Sequence, residues 1–218
     1  MTYLALNHSN YINGVTIKHK EVSRDMFSDY PIESITNGVH HLFWTNDYLK
    51  DVYNKYLGDS WIKTPFSLQY VFEIKKALKN SKIKIVFLEG YNLSIVKKLV
   101  SGVDLWLNTP QIPLEASGTS GMKAAFNGIP SLSSLDGWWL EGHIENVTGW
   151  SIGKRGENTT SDYNESDELY GKLEKDILLT YYHNKEQWKK IMVSTIMVNA
   201  SMFNSHRMVK EYILNSYL

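Results

Sequence analysis

Pro113-Leu114-Glu115-Ala116-Ser117-Gly118-Thr119-Ser120-Gly121-Met122-Lys123-Ala124-Ala125-Phe126-Asn127-Gly128 places a carboxylate, a run of small hydroxyl and glycine residues and a lysine within nine positions, then an apolar helical stretch closed by glycine. The pattern predicts a turn feeding a helix. The first amides of a helix have no internal partners, so a small-residue turn at that point offers its N–H groups to an anion. Lys123 is read here as part of the first helical turn, beside whatever binds there. Lysine is also the residue that condenses with carbonyl compounds.

The residues on either side give the loop its setting. Ile83-Lys84-Ile85-Val86-Phe87-Leu88 is a β-branched apolar run of buried-strand character. Asn92 caps a helix through Val100 that Gly102 ends, and Val103-Asp104-Leu105-Trp106-Leu107 follows as a second strand. After the loop, Ile129–Leu135 reads as a third strand, halted at Asp136-Gly137. Strand, helix, strand, helix, strand at these lengths predicts parallel pairing with right-handed crossovers. Ligands of such sheets bind at the carboxyl ends of the strands, where this loop falls.

Upstream, Thr16–Phe27 is mixed and mostly polar, and Ile35-Thr36-Asn37-Gly38-Val39 reads as a strand end entering a tight turn. Asp47–Tyr56 carries Leu49, Val52, Tyr53 and Tyr56 at helical spacing with Gly58 as its stop, and Pro65 opens a further helical stretch to about Lys79. Downstream, a polar loop over Lys154–Asp167 precedes helical patterns at Glu168–Tyr182, Lys185–Val198 and Phe203–Tyr217.

Composition narrows the function classes. The 218 residues are 43% hydrophobic, enough for one sizeable core or two small ones. Lys+Arg and Asp+Glu are both 23, so no global field favours nucleic acid or an anionic membrane. The chain has no cysteine, and hence neither a disulfide framework nor a thiolate metal site. There is no signal-peptide pattern and no apolar run of membrane-spanning length, so a cytoplasmic location is expected. The loop is neither a Walker phosphate loop, which needs Lys-Ser/Thr after its last glycine, nor a G-x-G-x-x-G dinucleotide fingerprint.

The combination Glu115-Ala116-Ser117-Gly118-Thr119-Ser120-Gly121-Met122-Lys123 resembles the pyridoxal-phosphate lysine motif of the α-glucan (glycogen, starch, maltodextrin) phosphorylases. Ser120-Gly121 before Met122, and Trp138-Trp139 within Asp136–Gly142, are similar to the short archaeal and bacterial branch. The resemblance extends to Asn13-Gly14-Val15 with His19 and Glu21, to Thr36-Asn37-Gly38-Val39-His40, and to Val86–Tyr91. It continues through Asp104–Asn108 and Phe203–Val209, in the family's order along nearly the whole chain.

The resemblance implies a partial GT-B-type glycosyltransferase fold: an α/β architecture with a parallel Rossmann-like sheet of about three core strands flanked by helices, and a helical C-terminus. It divides the chain into residues 1–45, a remnant of the N-terminal catalytic domain and hinge; 46–80, a helical connector; and 81–218, a cofactor domain with a helical tail. By the same resemblance Lys123 holds pyridoxal phosphate as a Schiff base, with Thr119, Ser120 and the Gly118 backbone around its phosphate and Tyr91 near its ring. Glu115, Ser117 and Gly118 hydrogen-bond the transferred glucose, and Asn37 reaches its 6-hydroxyl. Lys123 and Glu115 are thus the catalytic candidates. The implied reaction is phosphorolysis of an α-1,4-glucan by inorganic phosphate to glucose 1-phosphate, with no nucleic-acid or membrane partner.

One departure stands out. The family's basic clamp on the substrate phosphate belongs between Tyr70–Ile74 and Ile83–Ile85, where only Lys75–Lys82 remains, without arginine. An internal deletion near 75–82 is therefore expected, and the isolated chain is not expected to be a competent phosphorylase, since a developing phosphate oxyanion needs positive groups aimed at it. Two other readings stay open. A nucleotide-sugar glycosyltransferase shares the Glu-x-x-Gly loop but places a second glutamate on the next helix, where Lys123-Ala124-Ala125 stands. A non-catalytic glucan- or partner-binding module would leave an uncovered sheet edge for self-association.

Smaller features have plainer expectations. His40-His41, read as neighbours on a strand, would point to opposite faces and not share a metal. Trp138-Trp139 could stack on sugar or pack the core, and Asp136 with Glu141 could form a glycosidase pair or cap turns.

Overall fold

The computed structural model describes residues 2–63, 92–153 and 165–218. The expected strand at Ile83–Leu88, the helical stretch from Pro65, the Lys75–Lys82 segment, Tyr91 and residues 154–164 of the polar loop lie outside the described residues.

The chain opens with α1 (Thr2–His8), β1 (Ile12–Gly14), α2 (Ile17–Met26) and β2 (Ile32–Ser34), a β-α-β unit in which Ile12 pairs with Ile32 and Gly14 with Ser34 in parallel. Thr16 starts α2 by accepting the His19 N–H, as an N-cap threonine does. Short α3 (His41–Trp44), α4 (Asp47–Leu57) and α5 (Ser60–Lys63) follow. The Asn46 side chain caps α4, and Gly58 closes it at φ 59°, the two boundaries expected from the sequence to within a residue.

The second sheet is built from β3 (Trp106–Asn108), β4 (Ser131–Ser134) and β5 (Gly149–Ile152), all parallel, with β4 in the middle. Asn92-capped α6 (Leu93–Gly102) leads into β3, α7 (Thr119–Ala125) crosses from β3 to β4, and α8 (Trp139–Gly142) lies between β4 and β5. The outcome is a mixed α/β structure with parallel sheets flanked by helices. β5 is a strand that sequence patterning does not reveal. Its four residues are all buried, so they show no alternation, and four residues cannot carry a periodic signal.

The C-terminal helices form α9 (Glu165–Lys172), which passes through a π-type turn into α10 (Leu178–His183), then α11 (Lys185–Ser194) and α12 (Ser205–Tyr212), each extended by a π-type turn. Residues 165–167, expected in the polar loop, are already helical in α9, whose Glu165, Asp167 and Glu168 suit the N-terminal part of a helix. No helix among the described residues is long and apolar enough to cross a membrane.

Two apolar clusters hold these layers. Trp150, Leu132 and Ile152 of the sheet pack on Ile177, Trp188 and Ile191, with the Trp150 and Trp188 rings stacked at 5.8 Å. The other cluster joins Tyr53 and Trp61 to Met122 and Phe126 of the lysine helix and to Trp138, Trp139 and Phe203. The Tyr53 hydroxyl donates to the Phe126 carbonyl at 3.0 Å, so the one polar atom of that fully buried ring is satisfied. Trp138 and Trp139 are 3% and 0% exposed, which settles them as core residues rather than a sugar-stacking platform.

His40 and His41 are not on a strand. His40 caps α3 and His41 is its first residue, so their rings stack at 5.5 Å and 11° instead of pointing apart. His41 is 1% exposed; its Nε2 bonds the Ile62 carbonyl and its Nδ1 has no partner. Burial pushes its pKa down to about 4, with His206 and His40 adding to the shift and the Ile62 bond opposing it. The unfolded chain then binds a proton that the folded chain refuses between about pH 6.5 and 4. Stability should therefore fall as pH drops through that window, by on the order of 3 kcal/mol at its lower end. Urea denaturation at pH 7.5, 6 and 5 checks this, and His41→Gln should flatten the slope; a wild-type midpoint constant over that range would refute a neutral His41.

Candidate functional site

The site lies at the carboxyl ends of β3 and β4, where parallel sheets bind ligands. The loop after β3 carries Glu115–Gly118, and the turn after β4 carries Asp136–Trp138. The second grips the first. Asp136, 2% exposed, accepts the Glu115 N–H through Oδ2 and the Gly137 N–H through Oδ1, both at 2.9 Å. Trp138 N–H donates to the Ser117 carbonyl at 2.9 Å. Gly137 sits at φ 51°, and a Cβ there would lie 2.6 Å from that same carbonyl, so the close approach requires glycine.

The N-terminal unit grips the loop from the other side. Thr16 Oγ1 donates to the Ala116 carbonyl at 2.8 Å, and Asn37 Nδ2 donates to Ser117 Oγ at 3.1 Å. Arg207 of α12 holds Asn37 by donating to its carbonyl at 2.8 Å. Glu141 accepts from Thr36 Oγ1 at 2.6 Å and from Ile17 N–H at 3.0 Å. Asp136 and Glu141 are therefore both occupied as caps, which removes the glycosidase-pair reading. A groove of about 220 Å³ runs between α2 and Pro113–Ala116, with Lys18, His19 and Glu115 among its lining residues.

Gly118 is the N-cap of α7 in the left-handed conformation, and among the described residues no side chain caps the helix's first amides. Because α7 starts at Thr119, Lys123 falls in its last turn, not the first as expected from sequence. It still shares a face with Thr119, four residues back. Lys123 is half-buried, and its Nζ lies 4.5 Å from the centre of the Trp44 ring, a cation–π contact. Desolvation lowers its pKa below the ordinary lysine value. Among the described residues no carboxylate lies within ion-pair distance of it.

Asn37, Glu115, Ser117, Gly118, Thr119, Ser120 and Lys123 thus occupy one continuous stretch of structure. Sequence reading missed Trp44 and Arg207 as partners of this group. Trp44 is 79 positions from Lys123 and Arg207 is 170 from Asn37, and no local pattern reports contacts at such separations.

Comparison with known proteins places this arrangement. The sequence profile of the carbohydrate phosphorylases matches residues 73–152, which include the whole lysine loop. The maltodextrin phosphorylase of Thermococcus litoralis is 26% identical over 337 aligned positions, covering all of this chain and 40% of that protein. The glycogen phosphorylase of Aquifex aeolicus is 39% identical over 139 positions, covering 62% of this chain and 20% of that protein. That of Mycobacterium tuberculosis is 36% identical over 143 positions, covering 62% and 16%. The fold and site define a parallel α/β protein with a lysine behind a small-residue loop at the carboxyl edge of its sheet. Within that class, the chain is similar to the carbohydrate phosphorylases over the matched residues. It spans well under half the length of these curated relatives. Its 218 residues also stretch over 337 aligned positions of the T. litoralis protein, so a long internal part of that enzyme has no counterpart here.

Asp136→Asn tests the grip on the loop, because it turns one acceptor into a donor facing an N–H. The expected loss is about 1.5–3 kcal/mol of stability by urea denaturation. A variant as stable as the wild type would show that the loop does not hang on this carboxylate.

Proposed function

We propose that the chain holds pyridoxal phosphate on Lys123 in a GT-B-type cofactor domain, and that the site serves phosphorolysis of an α-1,4-glucan to glucose 1-phosphate. The observation that carries this reading is Lys123 itself. Its amine is half-buried, its pKa is lowered by desolvation, and it lies against an aromatic ring with no carboxylate among the described residues to hold its proton. An amine in that state is more readily deprotonated, which attack on a carbonyl requires.

The surrounding residues fit the group. Gly118, Thr119 and Ser120 start a helix whose first amides no side chain among the described residues caps, the kind of backbone that binds a phosphate. When bound, the cofactor supplies a phosphate that exchanges a proton with the substrate phosphate. The chain's own residues do the rest. Glu115 accepts from hydroxyls of the transferred glucose, the backbone of Ser117 and Gly118 presents further donors, and Asn37, held by Arg207, faces the 6-hydroxyl. Asp136 and Thr16 keep this loop from relaxing between turnovers.

A second reading has its own support. The internal part of the T. litoralis enzyme without a counterpart here favours a chain that binds cofactor and glucan without turning them over.

Two measurements separate these readings. After incubation with pyridoxal phosphate and borohydride reduction, peptide mass spectrometry should find a phosphopyridoxyl group on Lys123, lost in Lys123→Ala. A folded sample without that adduct overturns cofactor binding. Phosphate-dependent release of glucose 1-phosphate from maltodextrin then tests catalysis. If it occurs, Glu115→Gln should lower kcat/KM by about 10–100-fold through loss of a charge-assisted hydrogen bond. Labelling without release supports the binding module.

A further inference from the structure

The side chain of Asn127 lies within hydrogen-bond distance of four backbone groups. Asn127 is 6% exposed, just beyond the end of α7. The two hydrogens of its Nδ2 face three carbonyls, Trp44 at 2.9 Å, Val100 at 2.8 Å and Lys123 at 3.1 Å, so one hydrogen is shared between two acceptors. Its Oδ1 accepts the Asn46 N–H at 2.9 Å. The orientation of the amide is dictated by chemistry, since three carbonyls can only accept and an N–H can only donate.

Those partners are not ordinary backbone groups. Trp44, Val100 and Lys123 lie in the last turns of α3, α6 and α7, where carbonyls lack a partner within the helix. Asn46 is the N-cap of α4. One amide therefore serves four helix ends, and two of them carry the halves of the lysine site. The helix that ends at Trp44 and the helix that holds Lys123 are separate in sequence and share this one bonding partner.

We propose that Asn127 is the positioning residue of the lysine site, holding the Trp44 indole against Lys123 so that the amine stays shielded from water. The inference rests on Lys123 being the working residue of the site as read above. Asn127 touches no reacting group and acts only through the two helix ends it joins. Without it, the Trp44 turn and the Lys123 turn keep their apolar packing but lose their common reference. Water then reaches the amine, which regains the behaviour of an exposed lysine.

The test is a pH titration of Lys123 by reductive methylation with formaldehyde and cyanoborohydride on the full chain, read lysine by lysine by mass spectrometry. Only the unprotonated amine reacts, and exposed Lys210 is the internal reference. In the wild type Lys123 should reach half-modification at lower pH than Lys210. In Asn127→Leu, which keeps the branched shape and adds no charge, the Lys123 midpoint should move up toward that of Lys210. Its modification at pH 8 relative to Lys210 should fall by about threefold or more. Asn127→Ser, which retains one donor, is the milder variant and should shift in the same direction if Asn127→Leu does not fold.

Thr148→Val is the control for a purely structural effect. Thr148 is fully buried, bonds the Gly142 carbonyl and the Ile144 N–H, and lies outside the lysine site. A Lys123 midpoint unchanged in both Asn127 variants, or moved equally by Thr148→Val at matched stability loss, overturns the proposal. Formaldehyde reads the amine without any cofactor, so failure of pyridoxal phosphate to label Lys123 refutes the cofactor reading alone.

Discussion

The loop that carries the candidate site hangs from one buried carboxylate. Asp136 spends both oxygens on backbone N–H groups, one of them belonging to Glu115, and so joins the loop after β3 to the turn after β4. A carboxylate this deeply buried is tolerated only when fully hydrogen-bonded. That requirement forces Gly137 next to it, because any Cβ would meet the Ser117 carbonyl. Trp138 then follows as a buried ring against Phe203, at 5.0 Å between centroids. From a single side chain the chain obtains the loop's position, the turn's geometry and an anchor into the main core.

The opposite wall of the loop comes from the first 40 residues. Thr16, Thr36 and Asn37 reach Ala116, Glu141 and Ser117, and α12 closes the arrangement through Arg207 and the bridge between Val39 and Asn204. Residues from both ends of the chain thus converge on a loop in its middle. The alignment with the T. litoralis protein likewise runs over the whole of this chain, while covering 40% of that protein. The chain spans 40% or less of the length of the named relatives.

Much of this was legible before any coordinates. Asn92 and Gly58 mark helix ends because a side chain or backbone freedom satisfies the unpaired groups there, and such capping is local in sequence. The small-residue loop was legible for the same reason: a run of Ser, Gly and Thr before an apolar helix has few other uses. β5 was not legible, since a strand buried on both faces loses its alternation. Lys123 was expected in the first turn but lies in the last, because α7 already starts at Thr119 and its small polar first residues carry no periodic signal to mark that start. His40 and His41 were misplaced for a related reason. Short helices lack the periodicity that separates them from strands.

By itself, the sequence determined which residues form the loop, which helices flank it, and the family it resembles, because each depends on neighbours within about ten positions or on a shared motif. Only the tertiary structure decided that Asp136 and Glu141 cap backbone rather than flank a substrate, that the paired tryptophans are core, and that Trp44 lies over Lys123. Those outcomes depend on contacts between residues dozens to nearly two hundred positions apart. The physical reason is the same in each case. A buried polar group must find a partner, and which partner is near enough is settled only when the helices and strands have packed.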